Sequence, residues 1–159
     1  MLKDDSFWMN KAFELALKAH KEGEVPVGAV LVSSENTFIS SGYNQVIKKN
    51  DPSAHAEIIA LREGAQTLQN YRLLDTTLYV TLEPCCMCAG CLVNARVKRI
   101  VFATRDWQGG AGGSVYNILQ GYPLNHQVII DEGVMQQKCA TLLSDFFKTR
   151  RDLEKNNQI

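Results

Sequence analysis

The chain is expected to fold as a three-layer α/β/α sandwich around a mixed five-stranded sheet. Three observations carry this. Thr77 to Leu82 and Arg99 to Ala103 are β-rich and flank a short helical stretch, and that strand–helix–strand order makes two strands parallel. Val25 to Val32 and Phe38 to Gln45 are β-rich and separated only by Ser33-Ser34-Glu35-Asn36, a turn composition that predicts an antiparallel hairpin. Helical periodicity at both ends of the chain and in its middle supplies layers for both sheet faces.

The elements follow in order. Ser6 to Lys21 places Trp8, Ala12, Leu15 and Ala19 on one face at helical spacing, with Lys11, Lys18 and Lys21 elsewhere. After the hairpin, a helix is expected from Asp51-Pro52, because Asp suits an N-cap and Pro the first helical position. Its inward residues would be Ala54, Ile58, Leu61, Ala65 and Leu68. Thr77 to Leu82 alternates, with Leu78, Val80 and Leu82 on one side. The short helix runs from Pro84 to about Asn94, and Val128 to Ile130 is a weaker strand. The last helix spans about Val134 to Arg151, with Cys139, Leu142 and Phe146 inward. Residues 1–153 read as one domain, followed by a short polar tail at 154–159.

Composition narrows the function. The chain has 159 residues, 45% of them hydrophobic and 21% charged, which are globular values and exclude disorder. Seventeen basic residues balance seventeen acidic ones, so any nucleic-acid contact must use a local basic patch. No apolar run approaches the ~20 residues of a membrane helix, and the charged start, Met1 to Asp5, has no secretory apolar segment. A cytoplasmic location is therefore expected, with no membrane partner. Four of the five cysteines crowd together as Cys85, Cys86, Cys88 and Cys91, too close for a disulfide framework.

That cluster and one distant segment carry the chemistry. His55-Ala56-Glu57 and Pro84-Cys85-Cys86-Met87-Cys88 each fall near a predicted helix start. Cys85 and Cys88 are three apart and share a helix face, and a helix N-terminus favours thiolates. Cys88 and Cys91 form a second C-x-x-C, but Pro84 puts Cys85 where the dipole acts, so Cys85 and Cys88 are preferred and Cys86 and Cys91 are read as packing residues. With His55 the site has three ligands and one open position, the pattern of a catalytic zinc ion. Glu57 is the natural acid/base. Residues two apart do not share a helix face, so His55 and Glu57 can serve one ion only if His55 lies at the helix start. His20, His126 and Cys139 lack a paired neighbour and are assigned to surface or core.

His55-Ala56-Glu57 with Pro84-Cys85-Cys86-Met87-Cys88 resembles the cytidine/deoxycytidylate deaminase superfamily. Val25 to Val30, Asn70 to Leu73, Thr81 to Cys85, Ala103 to Asp106 and Leu143 to Phe147 are most similar to its bacterial tRNA-adenosine branch. The resemblance runs from about Trp8 to Arg151 and implies a cytidine-deaminase-like fold. It implies hydrolytic deamination of adenosine to inosine at the wobble position of a tRNA anticodon loop, by a zinc-activated water. It further implies a homodimer with one Zn2+ per subunit, held by His55, Cys85 and Cys88, with Glu57 as proton shuttle. Asn44, Ala56, Asp106, Leu82 and Val27 fall at its substrate-contacting positions. Gln108, Trp107 and the glycine-rich Gly109 to Gly113 depart from its usual pattern.

RNA backbone contacts would come from Lys148, Arg150 and Arg151, or from Lys48-Lys49 and Lys98-Arg99. Phe146 is expected in the core, while Phe147 could stack on a base. The glycine run lacks the Lys-Ser/Thr of a P-loop and is read as a flexible substrate loop or tight turn. Three rivals remain: a same-fold deaminase of free guanine, cytosine or deoxycytidylate, a silent zinc-binding RNA module, and a redox C-x-x-C protein.

Overall fold

The structure, a computed structural model, describes residues 2–121 and 125–157. Asp4 starts α1 (Asp5–Lys21) by accepting a 2.9 Å hydrogen bond from the Phe7 N–H. Strands β1 (Gly28–Val32) and β2 (Phe38–Tyr43) form the antiparallel hairpin expected across Ser33 to Asn36. There follow α2 (Ala56–Leu68), β3 (Thr77–Leu82), α3 (Cys86–Asn94), β4 (Arg99–Thr104), β5 (Ile129–Glu132) and α4 (Gln136–Asn156). The sheet order is β2-β1-β3-β4-β5, with β1 antiparallel to β2 and β3, and β3, β4 and β5 parallel. This is the mixed five-stranded sandwich that the sequence predicts.

Strand alternation sorts the core into two layers. Leu31, Leu78, Val80, Ile100 and Phe102 pack against Ala60, Leu61, Leu92 and Val93 of α2 and α3. Val30, Val32, Tyr79 and Val101 pack against Trp8, Met9, Ala12 and Phe13 of α1 and Cys139 of α4. Glycines let the helices approach closely. A Cβ on Gly28 would lie 2.0 Å from the Ala12 carbonyl oxygen of α1, and one on Gly42 would lie 2.4 Å from the Ala56 carbonyl oxygen of α2. At these two points the helices rest directly on strand backbone.

Several boundaries differ from expectation. α2 begins at Ala56, not at Asp51-Pro52, because the Asp51 carboxylate is spent on a local turn, accepting from the Ser53 N–H at 2.8 Å and the Ser53 hydroxyl at 2.7 Å. Leu68, expected inward, lies in the last turn of α2 and is exposed. α4 continues through Asn156, three residues into the segment read as a tail, while 158–159 lie outside the described residues. At the sheet end remote from Cys85, Arg99 donates to Asp5 at 2.7 Å and to Asp131 at 2.7 Å, tying α1 and β5 to β4. No helix among the described residues is long and apolar enough to cross a membrane.

Candidate metal and catalytic site

Two helix starts meet at one end of the sheet. β3 runs out through Glu83 and Pro84 into α3, whose N-cap is Cys85, in extended conformation at φ −75°, ψ 177°. The chain leaving β2 turns through 44–55 into α2, whose N-cap is His55, also extended at φ −73°, ψ 155°. An N-cap residue has not yet entered the helical rotation, so its side chain can leave sideways. This solves the two-residue problem: His55 points out from the cap while Glu57, in the first turn, points inward and is buried.

His55 Nδ1 lies 3.6 Å from Cys85 Sγ and 3.4 Å from Cys88 Sγ, and all three donor atoms fall within 4.8 Å of one another. A tetrahedral ion about 2.3 Å from sulfur and about 2.1 Å from nitrogen separates such donors by roughly 3.6 Å. The residues present therefore fit zinc without rearrangement. Among the described residues no other His, Cys, Asp or Glu group converges in this way. His20 is exposed against the Phe146 ring, His126 Nε2 is 2.7 Å from the Val97 carbonyl oxygen, and Cys139 is buried in the α1/α4 layer. Cys91 packs against the core as expected, but Cys86 is exposed, because the first turn of α3 turns that position outward.

Electrostatics follow from this crowding. The Cys85 thiol is drawn down to about 4, first by the hydrogen bond from the Cys88 thiol and then by His55. Cys88 is pushed up by donating that bond and by burial. His55 is raised, chiefly by its hydrogen bond to Cys85. Burial pushes the Glu57 carboxyl up to about 7. A divalent cation here would pull all four toward their deprotonated forms, so metal binding releases protons.

The other expected residues surround this centre. Asn44 Oδ1 accepts the Ala56 N–H at 2.8 Å, satisfying the first free donor of α2, and the Asn44 N–H bonds the Val27 carbonyl at 3.1 Å. Asn44, Ala56 and Val27 therefore form one connected wall. Leu82 and Asp106 line a cleft of about 360 Å³ with Trp107, Leu143 and Phe147. Asp106 Oδ1 accepts from the Gln108 and Gly109 N–H groups at 3.0 and 3.3 Å, so it also shapes its own turn.

The basic clusters divide. Arg150 and Arg151 follow Phe147 by three and four residues on α4 and share its side of the helix. Arg150 also lies over the Phe146 ring at 5.1 Å. Lys98-Arg99 does not qualify: Arg99 opens β4, five residues or about 17 Å from its site end, and is consumed by Asp5 and Asp131. Lys48 is paired with Glu22 at 3.1 Å. One residue was missed outright. Glu83 lies between β3 and Pro84, is only 2% exposed, and accepts hydrogen bonds from the chain that carries Asp106. A carboxylate ending an apolar strand was the signal available in the sequence.

An α/β/α sandwich with a His-Cys-Cys centre at two helix starts defines a zinc-dependent deaminase fold. Residues 2–104 match the family described as the cytidine and deoxycytidylate deaminase zinc-binding region. The tRNA-specific adenosine deaminase of Haemophilus influenzae is 50% identical over 95% of this chain and 87% of its own length. That of Bacillus subtilis is 40% identical over 97% and 95%. A solved structure from a study of A-to-I editing by tRNA:A34 deaminases superposes with a TM-score of 0.83 at 35% identity, covering 86% of this chain and 98% of that one. The guanine deaminase of Nitrosomonas europaea, at 23% identity and a TM-score of 0.78 over 92% of this chain and 86% of its own, shares the fold. The chain belongs to the cytidine and deoxycytidylate deaminase family, in its tRNA-specific adenosine deaminase branch. His55, Cys85 and Cys88 are its zinc-binding site, one ion per chain.

Proposed function

We propose that the chain hydrolyses adenosine to inosine at the wobble position of a tRNA anticodon, with Glu57 as the acid/base. The observation that carries this is the convergence of His55, Cys85 and Cys88 beside buried Glu57, in a chain 50% identical over 95% of its length to a tRNA-specific adenosine deaminase.

His55 Nδ1 and the two thiolates would hold the zinc, which would supply Lewis acidity enough to lower the pKa of water toward ~7. Glu57 does the proton work. Its carboxylate takes a proton from the attacking water and delivers it to N1 of adenine, which makes C6 more electrophilic. Once water has added at C6, Glu57 takes the remaining proton from the new C6 hydroxyl and hands it to the departing amino group, so the C6–O double bond forms, ammonia leaves and inosine remains. Burial raises the Glu57 carboxyl before any metal binds, and a bound cation would draw it back toward the carboxylate that accepts the water proton. Asn44 holds the start of α2 with its oxygen, and its Nδ2 is then the donor offered to the nucleoside. Val27, Ala56 and Leu82 form the apolar wall around the base.

RNA rather than a free base is supported by the cleft at the end of β3. Trp107 and Phe147 are exposed aromatic rings lining it, and stacking on unpaired bases is how single-stranded loops are held. Arg150 and Arg151 extend this side of α4 toward a phosphate backbone, with Lys148 three residues before Arg151. We further propose that the protein acts as a cytoplasmic homodimer, built on a single catalytic domain. The deciding experiment incubates the purified protein with a tRNA carrying adenosine at the wobble position, and separately with guanine, cytidine and deoxycytidylate. Inosine in the tRNA alone supports the proposal, whereas turnover of a free base without the tRNA product sinks it.

A further inference from the structure

The Gly109 to Gly113 run and the buried Glu83 explain each other. The Glu83 carboxylate accepts four hydrogen bonds from one loop. Oε1 takes the Asp106 N–H at 2.9 Å and the Ser114 hydroxyl, and Oε2 takes the Gly112 N–H at 2.8 Å and the Ser114 N–H at 3.1 Å. The loop wraps the carboxylate so tightly that a Cβ on Gly110 would stand 2.4 Å from the carboxylate carbon. One on Gly112 would meet a Glu83 oxygen at 3.4 Å and the Phe102 ring at 3.2 Å. Gly109 faces open space. The same loop is sewn to the metal-binding turn, since the Ala111 N–H donates to the Pro84 carbonyl at 2.8 Å, one residue before Cys85. This is not a flexible glycine linker. It is a backbone shell closed around a charge, and charge-assisted bonds to buried amides are the strong kind.

We propose that Glu83 is a positioning residue for substrate recognition: its carboxylate organises residues 106–114 so that Asp106 and Trp107 line the cleft at the end of β3, the strand that leads into Cys85, and Gly110 and Gly112 let the backbone reach it. The kinetic consequence rests on the RNA-deaminase function proposed above, but the ordering of the loop does not.

Two readouts on the zinc-loaded protein test this. The first is amide hydrogen exchange by NMR. Glu83→Gln replaces one acceptor oxygen by a donating NH2, so donors in the loop lose their partner. Exchange at Asp106, Gly112 and Ser114 should quicken at least about tenfold, while amides paired between β3 and β4 hold. Gly110→Ala should do the same from the loop side, and it keeps the test alive if Glu83→Gln fails to fold. Gly109→Ala should change nothing. The second readout is steady-state kinetics on an anticodon stem-loop RNA. Glu83→Gln and Gly110→Ala should raise KM about tenfold with kcat within about threefold and zinc retained, because the proton chemistry at Glu57 is untouched. Unchanged exchange in both variants overturns the proposal. So does quickened exchange with unchanged KM, and so does loss of zinc with kcat falling. A wild-type protein that leaves the RNA unmodified would sink the deaminase function, while the exchange data would still decide the role of Glu83 in ordering the loop.

Discussion

His55 and Glu57 are two residues apart and serve one point in space because only one of them is inside the helix. His55 leaves the chain at an extended N-cap and Glu57 follows in the first turn, so α2 delivers a ligand and an acid/base from adjacent positions. The two roles can be separated experimentally. Glu57→Gln preserves shape and leaves the three donors intact, so the protein should keep about one zinc per chain and lose turnover by 10²-fold or more, read by metal analysis and inosine formation. Cys88→Ser should lose the metal itself. Chelation of the wild type should likewise abolish activity and leave the fold standing, since both core layers are built without the metal, and added zinc should restore it. Asn44→Ala removes the acceptor of the Ala56 N–H. A lost cap of this kind costs about 0.5–2 kcal/mol, and a rise in KM should accompany the lowered melting temperature if its Nδ2 also meets the nucleoside.

At the scale of elements, the site is held by how closely helices sit on the sheet. α2 rests on Gly42 of the edge strand β2, with the Ala56 carbonyl where a Cβ would be. Ala56 is the residue between His55 and Glu57. Gly42→Ala must therefore push the start of α2, ligand and acid/base together, off β2 and out of its place relative to α3. Overpacking against backbone belongs at the upper end of the ~1–3 kcal/mol range, and zinc affinity should fall with stability. Gly28→Ala strains α1 to a similar degree on the opposite face. It should cost stability, with zinc affinity held, because α1 carries no ligand. Comparing zinc affinity in the two variants checks that the site depends on α2 seating rather than on general stability.

Across the whole molecule, charge is balanced but unevenly used. Arg99 is locked between Asp5 and Asp131 at the sheet end remote from the metal, whereas Lys148 and Arg151 stand exposed on α4 with no ion pair among the described residues. The RNA KM should rise with salt, and alanine at Lys148 or Arg151 should flatten the log–log slope by about 0.7 for each phosphate contact removed. The Arg99 guanidinium holds the Asp5 carboxyl below its ordinary 3.8. A depressed folded value means that the pair's stabilisation is full above the unfolded carboxylate pKa and is lost as pH falls through the folded one. Acid unfolding followed below about pH 4 should be less steep in Asp5→Asn, which no longer has that proton to take up.

Periodicity and spacing were enough for the layers, the hairpin and the parallel unit, and Pro84 at the helix start decided for Cys85 with Cys88 over the equally spaced Cys88 with Cys91, because amphipathic faces and helix starts are local properties of the chain. The metal site was legible for the same reason: two short motifs with unmistakable donor types. Local signals misled where two local structures competed for one residue, as when Asp51 capped its own turn and left α2 to begin at Ala56. Residues joined only by folding were invisible in advance. Arg99 looked like a free cation until Asp5, 94 positions away, was found on it. The glycine run read equally as a flexible loop or a tight turn until Glu83, buried beneath it, gave its amides a common acceptor. Sequence settles which chemistry the chain can hold, because ligand identity and helix starts are written locally. Only tertiary structure decides which charges are free and which loop is rigid, because both depend on partners that the linear order does not bring together.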